Sequence, residues 1–192
     1  MTKKYDFLKY FMKKIFAIIF LSICFIIPSK ADDIQDFQIE GISVGSSLLD
    51  FYSKEKILKN KNKDQYKLDK FYLVSINDTS FKEYESMKFH MKKDDGKYII
   101  HSLSGQIMLD INECLIKQKA VLEQLKTFFN NPKIDDLGKR QHPAYPGGYT
   151  YDIYITLKSG LFSISCYDLH VDAFLISADT DEFNDFLNKT YK

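Results

Sequence analysis

Arginine is almost missing from this sequence: of its 27 basic residues, only Arg140 is an arginine. Lysine fills the other basic positions, and Ile, Asn, Phe and Tyr are abundant, the mark of an AT-rich genome. A lysine-rich stretch therefore carries less functional information here than it would elsewhere. Glycine (8) and proline (4) are sparse and apolar residues make up 45%, which excludes collagen-like repeats, disorder and coiled coil. The longest apolar run, Ile15 to Ile27, falls short of the about 20 residues a membrane-spanning helix needs. Enzyme signatures are missing as well: there is no His-Glu-x-x-His, no phosphate-binding glycine loop and no Cys-x-x-Cys. Gly41-Ile42-Ser43-Val44-Gly45 matches the nucleophile-elbow pattern literally, but no α/β-hydrolase sheet precedes it.

The formal net charge of +1 hides an asymmetry. Six basic residues and one acidic residue fall within 1–31, so the remainder carries about −4, the wrong sign for a nucleic-acid binder. Residues 1–31 read as a secretory signal. Lys13 and Lys14 precede the apolar run, Pro28 breaks it, and Ser29-Lys30-Ala31 supplies small residues at −3 and −1. Met12-Lys13-Lys14 would itself open a compact signal, so translation is expected to start at Met12. Cys24 follows the bulky Ile23 rather than a small residue, which argues against a lipoprotein cleavage box. Residues 32–192 are then expected to form one exported domain, periplasmic or secreted, touching membrane only through the signal segment if it stays uncleaved.

Cleavage after Ala31 leaves two cysteines, Cys114 and Cys166. Residues 110–129 place Cys114 in a helical stripe with Ile111, Leu115, Val121, Leu122, Leu125 and Phe128. Tyr149–Leu157 and Leu161–Tyr167 flank Lys158-Ser159-Gly160 as a hairpin, and a Ser159-Gly160 loop sets Ile153, Ile155 and Leu157 on one face with Phe162, Ile164 and Cys166. Both sulfurs point into one interface. A bridge there would stabilise by about 3–4 kcal/mol; two buried free thiols are the alternative.

The remaining pattern gives a short strand entering a glycine-punctuated turn at 37–45, a broken helix at 47–60 capped by Ser46 or Ser47 and again by Ser53, and strands at 70–76, 85–93 and 97–103. A helix at 110–130 follows, then a loop from Asn131 to Gly148, strands at 149–157, 161–167 and 173–177, and a last helix with Asp179-x-x-Glu182 as its capping box. This is an α+β order: a two-layer antiparallel sheet with helices on one face, arranged as a tandem αβββ repeat plus a C-terminal helix.

The Gly-x-Ser-x-Gly-Ser-Ser-Leu-Leu entry at 41–49 resembles the small outer-membrane assembly lipoproteins of the BamE/SmpA type, over about a dozen residues and without their lipobox. More broadly, the layout from Ile39 to Tyr191 resembles a group of uncharacterised small exported proteins of AT-rich marine bacterial genomes. In that group one Cys sits early in the long helix and another follows the last hairpin, as Cys114 and Cys166 do here. The resemblance implies an exported α+β domain and no activity.

Four places could carry function. Pairing across Asp95-Gly96 puts His90 opposite His101 on an outward face with Lys88, Lys92, Ile99 and Leu103, while Phe89, Met91, Tyr98 and Ile100 form core. Two imidazoles are too few for an ordinary metal site and the lysines repel a cation, so this pair reads as a polar or anion-binding face. Asp168-Leu169-His170-Val171-Asp172 places three ligand types at alternate positions but reads more simply as a polar connection. Lys54 to Lys70 is a basic stretch best read as solvated surface. The 131–148 loop, with Lys139, Arg140, His142 and Tyr145, is the strongest candidate, because long loops are often functional and Arg and Tyr suit partner surfaces. The expectation is an exported, non-enzymatic domain that binds a protein or other envelope component, without metal or cofactor. A small-ligand or metal-binding module is the second reading and a hydrolase with no readable motif the third.

Overall fold

The computed structural model describes residues 33–62, 68, 70–129, 132–142 and 145–191. The expected signal segment and the expected cleavage site lie outside the described residues, as does part of the 54–70 stretch. Seven antiparallel strands form one sheet: β1 (Phe71–Ile76), β2 (Ser86–Lys92), β3 (Ile100–Met108), β4 (Lys133–Gln141), β5 (Tyr149–Leu157), β6 (Gly160–Asp168) and β7 (Ala173–Thr180), in the order β1-β2-β3-β7-β6-β5-β4. Among the described residues three α-helices accompany them: α1 (Lys54–Lys59), α2 (Ile111–Phe128) and α3 (Asp181–Tyr191). The chain is α+β, as the pattern predicts. Three strands follow α1 and four follow α2, so the halves do not match strand for strand.

The main core lies on one sheet face. Val74, Met87, Phe89, Leu103, Phe174, Ile176, Phe162, Ile164, Ile153 and Ile155 project there from successive strands and are buried. Two serine caps form the cover over β1–β3: Ser47 accepts from Leu49 N at 3.2 Å before a 3₁₀ turn at Leu48–Asp50, and Ser53 accepts from Lys56 N at 3.3 Å to start α1. The expected strand at 37–45 is instead a tight reversal. Ile39 and Ile42 pair with each other, because Glu40 (φ 53) and Gly41 (φ 78) both take the left-handed conformation.

α2 covers β5, β6 and β7. Asp110 caps it by accepting from Asn112 N (2.9 Å) and Glu113 N (3.2 Å), and Glu113 and Lys126 complement the helix dipole at its two ends. Two links pin it to the sheet. The first is the Cys114–Cys166 disulfide, with Cα atoms 5.8 Å apart. The second is the buried Gln118, whose Nε2 donates to the carbonyls of Tyr151 and Ile164, both at 2.8 Å. Replacing Gln118 with Leu keeps the volume and deletes both bonds. Urea unfolding of Gln118→Leu should show a loss of about 1–2 kcal/mol.

Two registers differ from expectation, with opposite consequences. The β5–β6 loop is Lys158-Ser159, since Leu157 pairs with Gly160 and Ile153 with Ile164. A two-residue shift preserves the face, so the expected apolar set still lies together. Between β2 and β3, Asp95 organises a longer loop by accepting from Lys97 N (2.9 Å) and Ile99 N (2.8 Å), and Tyr98 turns into the core at φ 55. The ladder therefore slips by one residue. Met91 pairs with Ile100, but His90 pairs with Ser102 rather than with His101.

The second face is also partly covered. α3 begins at Thr180, whose Oγ1 accepts from Phe183 N at 3.3 Å, and it folds back on the face opposite α2. There Phe183 and Phe186 meet Phe71 of β1 in a separate apolar cluster. Asp179 does not act as the expected capping residue. It belongs to β7, and its side chain is buried on the sheet next to α3.

Candidate functional site

The strongest sequence candidate is the 131–148 segment, and it is mostly not a loop. Lys133–Gln141 forms β4, the outermost strand beside β5. Its ladder is broken by a bulge between Asp136 and Lys139, where Gly138 sits at φ 59 and donates its N–H to Asp136 Oδ1 at 3.0 Å. An edge strand exposed along most of its length, with only Ile134 packed against the core, has no apolar alternation to betray it, which is why its composition reads as loop.

The structure places the four predicted residues at the end of β4, with Lys139 and Arg140 on opposite faces of the strand. Lys139 Nζ lies 4.0 Å from the centre of the Tyr149 ring, 5.6 Å from that of Tyr151 and 3.7 Å from Asp168 Oδ2. A hydrogen bond to Tyr151 and the Asp168 carboxylate hold its ammonium above the ordinary lysine range. On the other face of the strand, Arg140 Nη2 donates to Asp152 Oδ2 at 2.7 Å and lies 3.5 Å from the Tyr154 hydroxyl. Asp152 is buried and also accepts from Thr150 Oγ1 at 2.7 Å. His142 donates its backbone N–H to Gly148 O (2.9 Å), and its ring packs against Tyr145 (4.7 Å) and Tyr167 (5.7 Å). Tyr145 at the turn is 58% exposed and Tyr149 38%. Sequence reasoning missed Tyr149, Asp152 and Tyr154, and it considered Asp168 only with His170 and Asp172. The signal for two of them was the alternation Thr150-Asp152-Tyr154, the reverse side of the strand whose apolar side was followed.

Both histidines lie under or beside α3 rather than facing water. His90 is buried and its ring stacks on Phe183 at 4.5 Å. Leu103, expected on the histidine face, is core instead, because of the bulge. A chain of buried polar groups runs across four strands. Ser163 Oγ lies 2.8 Å from Ser177 Oγ, and Ser177 donates to Asp179 Oδ2 at 2.9 Å. Ser102 hydrogen-bonds the same carboxylate and lies 3.1 Å from His90 Nδ1. Burial pushes Asp179 up to about 6 and His90 down to about 3, the latter helped by Lys88. In this order the serine hydroxyl stands between carboxylate and imidazole. A carboxylate that should orient a general base is therefore not in contact with the ring.

His101 lies edge-on to Phe71 at 5.3 Å, with Nδ1 3.6 Å from Glu182 Oε2, too long for a hydrogen bond. Burial and Lys92 keep its imidazole below the usual histidine range. Glu182 accepts from Lys70 and Lys92, both at 2.8 Å, which hold its carboxyl down at about 2.

Asp168 is the last residue of β6, and Leu169 to Asp172 form a connection, as the simpler reading predicts. Asp172 accepts from Ile111 N and Leu169 N, both at 3.1 Å, and so ties this turn to the start of α2. An open depression of about 430 Å³ beside it is lined by Met108, Asp110, Leu169, His170 and Asp172. Among the described residues no group of three or more His, Cys, Asp or Glu is placed to hold a metal, and no helix is long and apolar enough to cross a membrane. Compared with known protein families, curated proteins and solved structures, the chain matches none.

Proposed function

We propose that this chain is an exported, non-enzymatic binding domain of the cell envelope that recognises a protein partner through the end of the sheet formed by β4, β5 and the turn at 145–148. The observation that carries the reading is the pair of exposed tyrosines at this end of the sheet, Tyr149 against Lys139 and Tyr145 against His142, beside an Arg140 held on the other face of the strand by Asp152. Aromatic and Arg side chains dominate the energetics of protein interfaces, and a surface pre-ordered by its own ion pairs loses less entropy on binding. Export is supported by the signal pattern at 13–31 and by the disulfide, a bond that persists in oxidising compartments.

The test is affinity capture from a solubilised envelope fraction of the host, quantified by mass spectrometry against an unrelated exported control. Replacing Tyr145 and Tyr149 together with Ala should reduce recovery of the specific partner by about tenfold or more without changing the melting temperature. Undiminished recovery would move the interface elsewhere on the domain. A metal or small-ligand role for His90 and His101 has less support, because His90 Nδ1 is engaged by Ser102 and Phe183 covers its ring.

A further inference from the structure

We propose that the outer edge of β4 pairs with the same edge of a second copy of this chain, antiparallel, about a two-fold axis between Leu137 and Gly138. The two ends of the sheet are not equivalent. Beside β1, Asn62 N donates to Leu73 O, Ser75 N donates to Asn60 O, and Lys61 bridges Val74, so that edge is occupied. Beside β4, among the described residues, no segment pairs with the outer edge, although the strand is nine residues long. Such an edge offers a row of backbone donors and acceptors to an incoming strand.

Charge order selects the occupant. β4 carries Asp135-Asp136 on one side of Leu137-Gly138 and Lys139-Arg140 on the other. Antiparallel pairing about the centre of that sequence sets Asp136 against Lys139 of the second copy and Asp135 against Arg140 of the second copy, each pair occurring twice by symmetry. Moving the register by one residue leaves a single kind of opposite-charge pair, Asp136 against Arg140 in one direction or Asp135 against Lys139 in the other. In-register parallel pairing would stack like charges on like, which is destabilising. The sequence therefore complements itself in one direction and one register.

Side-chain direction agrees. In the ladder to β5, Asp136 lies opposite Ile153 and Lys139 opposite Tyr151, both on the α2 side of the sheet. Asp135 lies opposite Tyr154 and Arg140 opposite Thr150, both on the α3 side. A two-fold axis perpendicular to the sheet keeps each face on its own side, so both pairs meet on matching faces. The bulge is compatible with this geometry. It places Leu137 and Gly138 at the axis, where the Gly138 N–H is already satisfied by Asp136, and leaves a regular arm on either side. The lysine and arginine are held extended by Asp168 and Asp152 yet remain nearly half exposed, so each keeps donors for a second carboxylate. This inference goes beyond the partner-binding reading, since self-pairing uses the strand edge and not the exposed tyrosines.

Sedimentation equilibrium of the purified full chain tests it. The wild type should approach twice its 22.5 kDa monomer mass. Asp136→Lys alone and Lys139→Glu alone should each self-associate about tenfold more weakly or worse, because like charges then face each other twice. An equimolar mixture of the two variants should regain the dimer, an outcome that misfolding of either variant cannot produce. A wild type that stays monomeric overturns the proposal, as do a dimer indifferent to both substitutions and a mixture that fails to reassociate. The Tyr145/Tyr149 double variant should keep the dimer mass, so loss of partner capture and loss of self-pairing are read separately.

Discussion

Removing the Cys114–Cys166 bridge should lower the stability of the domain by about 4 kcal/mol, which for a chain of this size is roughly 8–16 °C in melting temperature. The bond closes a loop of 52 residues that contains all of β4, β5 and most of α2 and β6. In the reduced, unfolded chain those elements gain the freedom that the bridge denies them, and loop entropy grows with the logarithm of that length. Both sulfurs are fully buried beneath α2, so the reductant must wait for the domain to open. The loss should therefore appear in urea unfolding of Cys114→Ala/Cys166→Ala at once, but in the wild type with dithiothreitol only after unfolding. A double variant within about 1 kcal/mol of wild type would mean that the Gln118 bonds and the apolar stripe of α2 suffice without the bridge.

Why that pair was legible, while other features were not, follows from how each is encoded. Cys166 shares parity with Ile164 and Phe162, and Cys114 lies on the apolar stripe of α2, so each cysteine's own element points it inward. Even the shifted β5–β6 turn did no harm, because a slip of two residues returns every side chain to its face. The β2–β3 slip is by one, and it arises from the Asp95 loop, whose backbone bonds no residue pattern announces. β4 was hidden for a different reason. Lys-Ile-Asp-Asp-Leu-Gly-Lys-Arg-Gln has low intrinsic strand preference and takes its conformation from pairing with β5. Its grouping of charges was visible, but only the sheet order shows that they line an edge. The second covered face was hidden because Ser102, Ser104, Ser163, Ser177 and His90 have the composition of a solvated surface. They are buried because serines leave little side-chain area, because one hydrogen-bonded chain satisfies several of them, and because α3 closes over His90.

That last contact yields the second large effect. Phe183→Ala should cost about 3–4 kcal/mol, since a nearly fully buried ring that touches Phe71, Phe186 and His90 is lost. Phe51→Ala, at an exposed ring, should change stability by no more than about 0.5 kcal/mol. The diagnostic readout is the His90 imidazole. The groups around it are Lys88 and Lys92 on β2, Ser102 and His101 on β3, Asp179 on β7, Glu182 on α3 and Lys70 ahead of β1. Burial holds His90 at about 3, below its unfolded value of about 6.5, so the unfolded chain takes the proton first and stability is lost as pH falls between those values. Asp179 acts in the other sense. Its folded value of about 6 exceeds the unfolded 3.8, so stability is lost as pH rises between 3.8 and 6 and regained on acidification. Glu182, depressed to about 2, adds a loss as pH falls below about 4.5. In the wild type the two buried groups oppose each other from about pH 6 to 4, and the decline steepens below 4, where His90 and Glu182 act together. Opening α3 with Phe183→Ala hydrates His90 and should let it titrate above pH 5 by NMR, whereas the wild-type ring stays silent down to pH 4. A variant in which His90 remains silent above pH 5 would show that the strands beneath, rather than the helix above, keep the ring neutral, and α3 would then be a cover for Phe71 alone.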